Sequence, residues 1–80
     1  MPVLTAKAVQ AKAQQALSSC PVYALRELLV DCDGETLVIT GQVVSFYHKQ
    51  LAQEIVRHAI DAVEEEEEVD VEVFNAITVL

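Results

Sequence analysis

The chain has no Trp, only two Gly, two Pro and two Cys, and four aromatic residues in 80. Each scarcity excludes something. With so little Gly and Pro, and with 52% hydrophobic residues, it is neither a disordered tract nor a fibrous repeat. Two cysteines, Cys20 and Cys32, do not make a disulfide framework, so two free, partly buried thiols are expected. Cations are also scarce. Five Lys and Arg stand against 13 Asp and Glu, giving a formal net charge of −8. Such a chain repels phosphate backbones at long range, which argues against a nucleic-acid partner. No apolar run reaches the roughly 18 residues of a membrane span, and "MPVLTAKAVQAKAQQ" is too polar for a signal peptide. As written, the chain reads as soluble and cytoplasmic, with no transmembrane segment.

What is present is one domain, residues 1–80. A chain of this length buries about 60–65% of its unfolded surface, so its core is thin. Residues 5–19 have a helical stripe of Ala6, Val9, Ala13, Ala16, Leu17 and Cys20. Thr5 is the expected N-cap, and Pro21 stops the helix. Residues 25–32 read as a strand with Leu28, Val30 and Cys32 facing the core. Asp33-Gly34 reads as a two-residue type I′ hairpin turn. Residues 35–43 form the return strand, with Leu37, Ile39, Gly41 and Val43 on one face. Gly41 inside that strand predicts a bulge or a close approach by a helix. Residues 46–63 read as a second helix capped by Ser45, with a stripe of Leu51, Ile55, Ala59, Ala62 and Val63 and with Ala52 and Val56 beside it. Glu64 to Glu68 form a frayed last turn or a loop, since like charges repel there and oppose the helix dipole. Residues 69–79 alternate as one long strand. The predicted fold class is α+β, in the order αββαβ: a three-stranded mixed sheet with two helices on one face.

Few residues point to chemistry. Glu54, His58, Asp61 and Glu65 recur at helical spacing, as a divalent-metal site requires, but one histidine with exposed carboxylates does not close a site, and a solvated helix face is expected. Glu64 to Glu68 lack the ligand spacing and turning Gly of a calcium loop. Cys32 lies on a core face with no orienting partner for a thiolate, so no catalysis is expected. No catalytic residue, cofactor or metal site is therefore assigned. Phe46 and Tyr47 open the second helix. They either pack over the sheet edge or, with Lys49, form a contact patch for a partner or a lipid interface. On the sheet face away from the helices, Leu29, Val38 and Phe74 make a surface suited to self-association, for which a homodimer is expected.

Asp33-Gly34, "LVITGQVVS" at 37–45, "KQLAQEIVRHA" at 49–59 and "VFNAITV" at 73–79 stand in one order. In that order the chain resembles the BON family (bacterial osmotic-shock and nodulation domains) over residues 5–80. Gly41, Val43, Ser45, Ala52, Val73, Asn75, Ile77 and Val79 match the family pattern. One departure is that the family usually has Gly-Val just after the second helix, where this chain has its acidic run and Val69-Asp70. The resemblance implies a non-enzymatic module that binds phospholipid at a membrane surface or a protein partner; many relatives are periplasmic or envelope-associated. Anionic lipid binding needs more positive charge than Lys49 and Arg57 supply. The expected function is accordingly a small binding module, and the alternative is a self-associating interaction domain without a lipid role.

Overall fold

The computed structural model describes residues 5–80. Helix α1 is Ala6–Ser18, followed by a short 3₁₀ turn at Tyr23–Leu25. Strands β1 (Leu29–Asp33), β2 (Thr36–Thr40) and β3 (Gln42–Val43) lead into α2 (Phe46–Glu64). Strands β4 (Glu72–Asn75) and β5 (Thr78–Val79) end the chain. The main sheet has the order β1-β2-β4, antiparallel then parallel, and β3 pairs with β5 in parallel. The α+β fold with two helices and a three-stranded mixed sheet is as expected.

Thr5 stands at the N-cap of α1, but its hydroxyl makes no capping bond; its carbonyl instead accepts from Ala8 and Val9. One face of α1, Ala6, Val9, Ala13 and Leu17, is buried, and Cys20 follows into the core. Both cysteines are free, Cys20 buried and Cys32 half-buried. The predicted strand at 25–32 starts later. Leu25 and Leu28 are buried from a turn whose amides bond back to Val22 and Leu25, and β1 begins only at Leu29. The hairpin also differs from expectation. Asp33 pairs with Thr36, so the two loop residues are Gly34 and Glu35. Gly34 has φ 62° and no non-glycine residue among those described has positive φ. A glycine at the first loop position followed by an ordinary residue is the sign pattern of a type II′ turn, not type I′.

The two long predicted strands each break once, at the same level. Gly41, at φ 135°, separates β2 from β3, and Ala76-Ile77 separates β4 from β5. The pairing does not slip across the bend: Thr36 faces Glu72 and Gln42 faces Thr78 at one constant offset. The amides of Ala76 and Thr78 still reach the carbonyls of Ile39 and Gly41. The close approach at Gly41 comes not from a helix but from Leu28, whose Cδ2 would lie 2.6 Å from a Cβ placed there.

Helix α2 sits deeper than its predicted stripe. Its buried residues are Ala52, Val56, Ile60 and Val63, while Leu51, Ile55 and Ala59 are half-buried and Ala62 is exposed. The helix packs against both α1 and the sheet, so its apolar face is wide and the axis of burial is displaced toward Ile60. Leu17, Leu25, Leu28, Leu37, Ile39 and Ile60 are the largest fully buried side chains. The acidic run begins as helix at Glu64 and leaves it at once, with the amides of Glu66 and Glu67 both turning back onto the Val63 carbonyl.

Candidate functional site

The edges of the sheet are built differently, and the difference locates the site. Beside β1 lies α1, running antiparallel to it. Gln14 donates from Nε2 to the Leu28 carbonyl at 2.9 Å and accepts from the Val30 amide at its Oε1 at 2.8 Å. Gln10 donates to the Val30 carbonyl at 2.8 Å. The side-chain amide of Gln14 bonds this edge as the backbone of a neighbouring strand does. These glutamines fell outside the apolar stripe of α1 in the sequence; both are half-buried and in use.

At the other edge, β4 has only β2 beside it among the described residues. The amides of Glu72 and Ala76 point inward to Glu35 and Ile39. Because backbone groups alternate along a strand, those of Val73 and Asn75 point outward. The Asn75 side chain holds this edge to α2: Nδ2 donates to the Lys49 carbonyl at 2.8 Å and to Gln53 Oε1 at 3.2 Å, while Oδ1 accepts from the Ile77 amide at 3.2 Å. The last bond occupies the outward Ile77 amide, so the open edge stops at Asn75.

Between α2 and Asn75 runs an open groove of ≈ 560 Å³. Asn75 is its one lining residue from the sheet; the others all belong to α2 between Phe46 and Asp61, Lys49, Gln53 and Arg57 among them. It arises because α2 turns its flank at positions 46, 49, 53 and 57 past the strand edge, a helical spacing of three and four. Of the expected contact residues, Phe46 and Lys49 line this groove, and Tyr47 lines a smaller depression next to it, the two sharing Gln50 and Glu54. Phe46 and Tyr47 do not pack over the sheet: they are 75% and 68% exposed, and the Tyr47 ring lies tilted against that of His48, with centroids 5.6 Å apart. Val44 and Leu80 are exposed nearby in sequence and pairing, giving this end of the domain an apolar rim.

Ser45 caps α2 as expected, accepting from the His48 amide at 3.2 Å. Its Oγ also lies 3.1 Å from His48 Nδ1, which locks the ring against the cap. Glu54, His58 and Asp61 share the groove wall, yet no group of three metal-ligating side chains gathers among the described residues. Leu29, Val38 and Phe74 do lie together on the open sheet face. Val38 pairs with Phe74, and Leu29 is diagonal to Val38 through its partner Thr40.

Charge is segregated. Nine of the 13 acidic residues lie at the end where β2 and β4 begin: Asp33 and Glu35 at the hairpin, Glu64 to Glu68 after α2, and Asp70 and Glu72 entering β4. Groove residues Gln53 and Arg57 were read only as outward-facing in the sequence; the signal available was a polar helix flank beside a valine-rich strand carrying one Asn. No helix of the described residues is long and apolar enough to cross a membrane. No protein-family model, curated protein or solved structure matches this chain.

Proposed function

We propose that this chain is a small non-catalytic binding module of the BON type, and that its ligand docks in the groove between α2 and the β4 edge. The observation that supports this reading is the groove itself, which meets β4 at Asn75, where the outward backbone groups of the strand have no partner among the described residues, while at the opposite edge Gln10 and Gln14 take those of Leu28 and Val30. A protein ligand suits the walls better than a lipid surface. Gln53 offers its side-chain N–H groups, charges of both signs alternate along the helix, and the net charge of −8 disfavours anionic headgroups. The test is a comparison of the wild type with Gln53→Trp, which fills the groove from an exposed position. Protein retention from native lysate and co-sedimentation with neutral and anionic vesicles are measured for both. Loss of a retained protein in the variant supports the reading; identical retention by both proteins overturns the groove as the site, and vesicle binding that survives the substitution moves the function to the lipid.

A second reading has its own observation. Leu29 is 58% exposed and Phe74 57%, and with Val38 they give the open sheet face, which also carries Asp31 and Thr40, an apolar surface suited to a second copy of the chain. Sedimentation decides it, as argued in the Discussion.

A further inference from the structure

We infer that the groove takes an extended, lysine- or arginine-bearing segment of another protein, which adds to the sheet as a strand along β4; this rests on the groove being the binding site. The first argument is backbone geometry. Val73 and Asn75 direct an amide and a carbonyl each away from β2, in the alternating pattern that another extended chain satisfies. A helix or a compact surface cannot reach both residues with its own backbone groups. The second is the position of α2. A strand laid on this edge turns every second side chain toward Lys49, Gln53 and Arg57 and the others toward the open sheet face beside Phe74. The groove thus receives side chains, while the edge receives backbone.

The third argument chooses the partner by charge. Close to the groove, Lys49 and Arg57 offset Glu54 and Asp61, so the groove itself neither attracts nor repels a neutral strand. Toward the start of β4 the incoming chain runs into the acidic end of the domain, whose carboxylates lie on the hairpin, on the connection after α2 and on Glu72 itself. Basic residues at that end of the segment are favoured, and acidic ones are opposed. A second copy of this chain also offers a β4 edge, but it brings the same acidic end, and two chains of charge −8 repel. The edge is also short. Asn75 withdraws the Ile77 amide by bonding it, so β4 offers four residues, enough for a peptide and little for an extended sheet.

The experiment is amide hydrogen exchange on the ¹⁵N-labelled full chain, read residue by residue. The probes are three short blocked peptides: alternating Lys and Thr, alternating Glu and Thr, and the Lys-Thr sequence interrupted by Pro. The Lys-Thr peptide at millimolar concentration slows exchange at Val73 and Asn75 by about tenfold or more, shifts the resonances of Gln53 and Arg57, and binds less tightly as salt rises. The Glu-Thr peptide does neither, and the Pro-interrupted peptide loses the protection because it cannot complete the ladder. Shifts at Glu64 to Glu68 without protection at Val73 and Asn75 overturn strand addition, as does protection by no peptide at all. A protein partner lost in Gln53→Trp while Val73 and Asn75 exchange unchanged also overturns it, yet leaves the groove as the binding site. Protection of these amides by phosphatidylglycerol vesicles and not by peptide assigns the edge to a membrane and overturns the inference.

Discussion

At one edge of the sheet the outward backbone groups of Val30, and the Leu28 carbonyl just before β1, are taken by Gln10 and Gln14; at the other, those of β4 face a groove with no strand of the described residues beside them. An exposed edge templates pairing with other chains, and proteins usually cover it, shorten it or charge it. This domain covers the first edge at Leu28 and Val30 with side-chain amides. At the second it leaves backbone groups accessible under a helix flank, shortens the strand by the Asn75 turn and surrounds its start with carboxylates. The contrast teaches that the two edges differ in cover: at the first, side-chain amides hold Leu28 and Val30, and at the second, the groups of Val73 and Asn75 have no partner among the described residues.

The largest expected effect tests whether the covered edge depends on the bend beside it. Gly41 leaves room for Leu28, and Leu28 presents the carbonyl that Gln14 holds. A Val at position 41 must adopt φ near +135°, a region β-branched residues avoid, and its Cβ meets Leu28 Cδ2 at 2.6 Å. Strain and overpacking together predict a loss of about 3 kcal/mol or more in urea unfolding. Exchange at Val30 should accelerate along with it. A Gly41→Val protein of wild-type stability would mean that Leu28 and the β1 edge do not rely on this glycine.

Next comes the cover itself. Gln14→Leu keeps the helix and much of the side-chain volume but removes both bonds to β1, leaving the Leu28 carbonyl and the Val30 amide without their partner. Part-buried groups without partners cost about 1–3 kcal/mol each, reduced where water reaches them, so a loss of about 2 kcal/mol is expected. The sharper readout is association, because the variant exposes a second strand edge. Its sedimentation coefficient should rise with concentration more steeply than that of the wild type. Equal stability and equal sedimentation would erase the distinction between the edges.

The same contrast shows how far the sequence can be read. Periodicity identified both helices, the alternation of Leu28, Val30, Leu37, Ile39 and Val43, and the order of elements, because burial imposes a repeat on residue type. It did not show Gln10 and Gln14 as structural, since a polar residue outside an apolar stripe looks solvated until its partner strand is placed. It divided neither long strand, because Asn75 and Ile77 keep to the alternation on both sides of the break. It placed the hairpin turn one residue early, for glycine marks a positive φ without saying which loop position needs it. Ile60 was overlooked because α2 buries a wider face than one stripe. Of the groove, Phe46 and Lys49 were legible; Gln53, Arg57 and Asn75 meet only through the tertiary fold.

A smaller effect lies at the open edge. Asn75→Ala removes the bonds to Lys49, Gln53 and Ile77. The side chain is half-buried and water replaces part of what is lost, so about 1 kcal/mol is expected. The loss should be local: exchange at Ile77 should quicken while Val30 stays protected. Equal acceleration at both edges would show that Asn75 supports the whole fold and not one edge.

The smallest expected effect on stability concerns the sheet face between the edges. Leu29 and Phe74 are already more than half exposed, so replacing both by Lys should change the stability of a monomer by no more than about 0.5 kcal/mol for each substitution. The consequence for association is different. If copies of the chain meet through this face, the pairing removes exposed apolar surface worth roughly 25 cal/mol per Å², and two inserted lysines abolish it. Salt separates this pairing from strand addition at β4. Two chains of charge −8 repel, so screening tightens a dimer as salt rises, whereas a basic segment at the acidic end binds more weakly under the same change. The expected wild-type result is therefore a dimer that strengthens with salt and disappears in the double Lys variant, with β4 still open to peptide in both proteins. A monomer at high micromolar concentration in low and high salt would remove the face from consideration and leave the β4 edge as the surface to which partners come.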